Sequence, residues 1–157
     1  MAKGSGKGEG SPVLSIVGVL CSLGEFGFSV GITILLWQDL ATNSLCLLEG
    51  YNIRNMSICN YAYALAAWSI LVSFCVGLLM LFTSCCGKVS HIIGIIFGVG
   101  MICWWLAGAI IMTYYGVEAN SQNFPQRQAR NMVIGFSWAV FTLFCIGTGV
   151  ECKNAAD

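Results

Sequence analysis

Charge is what this chain mostly lacks. Its 157 residues include 7 Lys and Arg, 7 Asp and Glu and a single His, for zero formal net charge. Nucleic-acid binding needs clustered Lys and Arg, so a neutral chain with scattered charge gives no support for it, and no nucleic-acid partner is expected. Catalytic patterns are lacking too. The sequence holds no nucleophile elbow, phosphate loop, Cys-x-x-Cys, His–carboxylate pair or paired intramembrane acids. His91 is the lone histidine, and the adjacent Cys85 and Cys86 lack the spacing of a zinc or redox site. The expectation is a protein that is not an enzyme and takes no metal or cofactor.

What is present is long and greasy. Four apolar runs, Pro12–Trp37, Tyr61–Thr83, Val89–Tyr115 and Met132–Val150, fill most of the chain, with short polar joints between them. Crossing about 30 Å of hydrocarbon takes roughly 20 apolar residues, and each run meets that length. In lipid every backbone N–H and C=O must be paired within its own segment, which dictates helices. Lys3, Lys7, Arg54, Lys88, Arg127, Arg130 and Lys153 all fall outside the runs. The expected fold is therefore all-α, an integral membrane four-helix bundle over residues 12–150 with spans near 12–37, 61–83, 89–115 and 132–150. Residues 1–11, rich in Gly, Ser and Lys, are expected to form a disordered cytoplasmic tail, and 151–157 a short cytoplasmic one. The first run is too long for a cleavable leader and is read as the first span.

Orientation rests on several signals. Lys3, Lys7, Lys88 and Lys153 fall on one side and Arg54, Arg127 and Arg130 on the other, a slight bias placing the lysine side in the cytoplasm. Asn55-Met56-Ser57 is an N-glycosylation acceptor, usable only outside the cytoplasm. The same loop carries Cys46 and Cys59, spaced to close a disulfide under oxidising conditions. Trp37, Tyr61, Tyr63, Tyr114 and Tyr115 gather at that side as an interfacial belt would. Both termini and the Ser84–Ser90 turn are then cytoplasmic. Cys85, Cys86 and Cys152, juxtamembrane on that side, are acylation candidates. Cys21, Cys75, Cys103 and Cys145 lie within spans and read as small apolar packing residues.

One acid breaks the apolar pattern. Glu25 lies midway along the first run, where an ionised carboxylate is costly and faces the bundle interior. No Lys or Arg lies within a span to pair with it. The expectation is a protonated acid bonded to Ser73, Ser137 or Thr142, serving as a polar clamp; a proton or ion role and a subunit contact are the alternatives. Gly27-x-x-x-Gly31 and Gly94-x-x-x-Gly98 offer close helix approach. Trp104 and Trp105, about 100° apart on a helix, are expected to face outward and inward separately.

Two stretches carry a family resemblance. Ile53–Tyr61 (IRNMSICNY) resembles the Asn-Arg-Asn…Cys-Arg-Tyr approach to the second span of the MARVEL-type tetraspan proteins, the synaptogyrin and synaptophysin group. Ala129–Trp138 (ARNMVIGFSW) is similar to their entry into the fourth span, and Cys103–Gly108 (CWWLAG) looks like their third. The third loop has no cysteine, so a second luminal disulfide is impossible, and their long tail with tyrosine repeats is missing. Claudins fit less well, since their first loop is about twice as long. The resemblance implies vesicle trafficking. The expected role is that of a structural tetraspan that organises membrane or membrane-protein assemblies in a vesicle or plasma membrane, with lipids, other integral membrane proteins or further copies of the chain as partners. A small accessory subunit of a channel or transporter is the competing expectation; a self-assembled channel lacks the polar stripe it needs.

Overall fold

A computed structural model describes residues 12–42, 45–49, 56–81 and 88–156. They form four helices and one hairpin: α1 (Pro12–Leu35), β1 (Ala41–Thr42), β2 (Leu45–Cys46), α2 (Ser57–Leu81), α3 (Lys88–Ser121) and α4 (Arg127–Ala156). α1 continues into a single π-helical turn, Leu36–Leu40. All four helices are long and apolar enough to cross a membrane. Residues 1–11, the glycosylation acceptor Asn55 and the turn cysteines Cys85 and Cys86 lie outside the described residues.

The helix ends depart from the apolar runs. α3 continues past Tyr115 to Ser121, and α4 starts at Arg127 rather than Met132. Residues 151–156, expected as a tail, continue α4. Nothing in Glu-Cys-Lys-Asn-Ala-Ala breaks a helix, and Lys153 in the last turn complements the helix dipole. Hydropathy marks where a chain is greasy, whereas the helix ends where its backbone pairing ends.

Neighbouring helices run antiparallel, and the paired residues set their register. Ser29 Oγ donates to Ser69 Oγ at 2.9 Å between α1 and α2. Between α1 and α4, a Cβ on Gly24 would meet the Leu143 side chain, and one on Gly31 the Phe136 ring. Between α3 and α4, Gly116 lies against Ile134, and Trp138 Nε1 donates to Thr113 Oγ1 at 3.0 Å. Gly108 admits Leu65 between α2 and α3. The buried stripe of α4 steps by three and four through Arg130, Val133, Ser137, Val140, Phe144, Gly147 and Glu151. That spacing is the signature of an antiparallel bundle seam.

One end is closed by covalent and apolar packing. Cys46 and Cys59 are joined with an S–S distance of 2.02 Å. In the hairpin Ala41 pairs with Cys46 and Thr42 with Leu45. Leu36, Leu40 and Leu48 beside them are fully buried. Trp105 is buried while Trp104 stays half exposed, as adjacent helix positions require.

Candidate functional site

The core is not uniformly apolar. Ser22, Glu25, Ser29 and Ile32 fall on one stripe of α1 that runs on to Leu36 in the π-helical turn, and all are buried. The inward stripe of α2 contributes Ser69 and Ser73. Ser73 Oγ donates to Glu25 Oε2 at 3.1 Å, and Glu25 is only 4% exposed. Of the three hydroxyls that sequence offers Glu25, Ser73 is the one in contact. Ser137 donates instead to Ile134 O and Thr142 to Trp138 O, each within α4.

A second acid lies one helical turn beyond Gly147, the residue whose Cβ position is 3.6 Å from Glu25 Oε1. Glu151 is 5% exposed, and its Oε2 is 2.6 Å from His91 Nδ1. This corrects the expectation that the chain has no His–carboxylate pair. The partners are 60 residues apart in sequence. They meet because α4 continues past Val150 and the start of α3 packs antiparallel against its end. Glu25 and Glu151 line one cavity together with Ser22, Thr148, Gly94 and Gly98. The volume open to the centre of a water molecule is about 20 Å³, room for about one water.

Small residues make that cavity. A Cβ on Gly94 would meet the Glu151 side chain at 3.4 Å, and one on Gly98 would overlap Thr148 Oγ1. Gly31 admits Phe136 at 3.0 Å. Gly27 faces outward: a Cβ there meets nothing within 4 Å, so it makes no close helix contact within this chain. The close stripe on α1 is Gly24 and Gly31, seven residues apart, because two full turns return a helix to the same face.

At the disulfide end Arg130 is fully buried. Its guanidinium donates to Asn120 Oδ1 at 2.9 Å, Phe124 O at 2.7 Å and Pro125 O at 2.5 Å, holding the α3–α4 turn. Asn123 and Gln126 in that turn have φ of 56° and 63°, a left-handed conformation that Gln disfavours. Nearby Glu49 is buried, and burial, then the Glu118 carboxylate, push its pKa above the ordinary carboxyl value. Arg130 was legible only as a charge outside the run; its place on the three-and-four stripe is the signal that it points inward.

Among the other free thiols, Cys21 is buried and Cys75, Cys103, Cys145 and Cys152 are exposed. The packing role expected of the span cysteines therefore fits Cys21, while Cys75, Cys103 and Cys145 face outward. Among the described residues no three His, Cys, Asp or Glu side chains converge as metal ligands. Comparison with protein-family models, curated proteins and solved structures returns no match.

Proposed function

We propose that this is a non-enzymatic tetraspan membrane protein that organises membrane or membrane-protein assemblies through its helix surfaces. One observation carries the reading. Apart from a short hairpin and turns, the described surface is helix, and its outward faces expose Leu20, Leu23, Phe74, Ile96, Ile110 and Tyr114. In water such a continuous apolar surface would aggregate; in a bilayer it is the surface a partner must recognise. With so little of the described chain outside the helices, recognition runs through lipid-facing side chains. The resemblance to the synaptogyrin and synaptophysin group adds vesicle membranes as the setting, with the disulfide end luminal and both termini cytoplasmic.

The accessory-subunit reading draws on the same outward faces, where Trp68, Trp104 and Trp138 are large, rigid anchors. A pore through one copy is disfavoured. Beyond the Ser29–Ser69 pair the core turns apolar, with Ile32, Leu36, Met112 and Val133 fully buried.

Extraction of the tagged chain in mild detergent, followed by mass spectrometry and sizing, tests the reading. Self-association or a set of membrane proteins at substoichiometric levels supports an organiser. One stoichiometric channel or transporter converts the role to accessory subunit, and a monomer with no membrane-protein partner in native-like lipid overturns both.

A further inference from the structure

Two hydroxyls in the core have no bonding partner. Ser22 on α1 and Thr148 on α4 are 8% and 9% exposed, and neither is hydrogen-bonded to another described residue. Among the described residues the fully enclosed polar atoms without a partner are Glu49 Oε2 and Trp105 Nε1, so the Ser22 and Thr148 oxygens are not sealed and a water can reach them. Both line the cavity that Glu25 and Glu151 share. A buried water takes two to four polar partners and needs about the space found here. Four oxygen-bearing side chains around room for one water is that arrangement.

We propose that the cavity is a proton-loading site, in which one water held by Ser22, Thr148 and the two carboxyls joins Glu25 to the Glu151–His91 pair. His91, partly exposed near the start of α3, is the port. An aqueous acid protonates the free imidazole nitrogen of His91 while Nδ1 passes its proton to Glu151 Oε2. Glu151 protonates the water, and the water gives one of its own protons to Glu25. Glu151 and the water then return to their starting states, and Glu25 gains one proton and loses one negative charge. His91 is left as its Nε2–H tautomer, and proton exchange with water at this partly exposed ring restores Nδ1–H. Only N–H and O–H bonds change, and no electrons move.

The surroundings fix both the acceptor and the direction. From α1, Cys21 lies one turn before Glu25 and is buried. From α2, Ser73 donates to Glu25. From α4 and α3 come Glu151 and His91. Among the described residues no Lys or Arg lines the cavity. Among them an ionised Glu25 therefore has no cation beside it, while Glu151 has the imidazole. The far side is closed by the Ser29–Ser69 pair and the apolar layer beyond it. Along the bundle axis protons therefore arrive from the His91 end.

Time-resolved infrared spectroscopy of the full chain in lipid nanodiscs, after a jump from alkaline to acid pH, reads the protonated-carboxyl stretch. Glu25→Gln identifies the Glu25 component by its loss. The double variant Ser22→Ala/Thr148→Val keeps both carboxyls and His91 and removes only the water's hydroxyl partners. It is expected to slow Glu25 protonation by at least about a hundredfold, the low end for a positioned proton-transfer group, with the titration midpoint unchanged. His91→Gln, at a partly exposed site, is expected to slow it likewise. The proposal is overturned if Glu25→Gln removes no titrating band, or if His91→Gln and the double variant keep the wild-type rate. Partner recovery in the extraction experiment does not depend on either result.

Discussion

Arg130 on α4 donates to the carbonyl oxygen of Leu47, 83 residues earlier, at 3.0 Å. One guanidinium thus joins the chain just after the hairpin to the α3–α4 turn, whose Phe124 and Pro125 carbonyls it also binds. A planar fork with several donors can serve these acceptors together; an ammonium cannot.

Arg130→Ala should therefore destabilise the fold more than any surface change. Hydrogen bonds to charged groups contribute about 1.5–3 kcal/mol, so a loss of at least about 3 kcal/mol is expected from this residue's set. Arg130→Lys should recover less than half. Denaturant unfolding in detergent micelles reads both, and a loss below about 1 kcal/mol for the alanine variant would remove Arg130 from this role.

The Cys46–Cys59 link should be stabilising in proportion to the loop it closes, with a sequence separation of 13. A loop of that length corresponds to about 3 kcal/mol in the chain-entropy account. Replacing both cysteines by Ala, or adding reductant, should lower the unfolding midpoint equally, and reductant should have no further effect on the double variant. A reductant-induced drop that persists there would mean another bond is responsible.

Gly98→Ala should force α3 away from α4, because its Cβ overlaps Thr148 Oγ1. Overpacking of this kind costs about 1–3 kcal/mol. Gly27→Ala meets open space, so helix propensity alone should leave it neutral or more stable by up to about 1 kcal/mol. Adding Thr148→Ala should rescue Gly98→Ala and do nothing for Gly27→Ala. Additive losses across the Gly98–Thr148 pair would contradict the contact.

Glu49 predicts a pH dependence at the disulfide end. Burial first, then the Glu118 charge, raise its folded pKa above the unfolded value. The folded chain holds this proton more tightly, so the stability it contributes is full below the ordinary carboxyl pKa and lost as pH rises through the folded one. Glu49→Gln imitates the protonated form. Thermal midpoints across acid to neutral pH should fall for the wild type relative to Glu49→Gln; parallel curves would contradict the assignment.

Much of the bundle was legible because lipid-length apolar runs leave helices little alternative. The inward residues were less so. Glu25 stood out inside a run, yet Glu151 and His91 sit at run edges, where hydropathy cannot tell a buried polar residue from the start of a tail. Only the antiparallel register, which places the start of α3 beside the end of α4, brings them together. Gly27 shows the reverse within the chain: a Gly-x-x-x-Gly spacing is a pattern of four, whereas the α1–α4 contact repeats every seven through Gly24 and Gly31.

Cys75, Cys103 and Cys145 test the whole account, because each is exposed on the protein and each lies within a span. A water-soluble maleimide, added to sealed vesicles carrying one of these thiols in a background of serine, should leave all three unmodified until detergent is added, since a thiol in hydrocarbon cannot ionise. Labelling at aqueous rates in intact vesicles would mean that water, and not lipid, covers these helices.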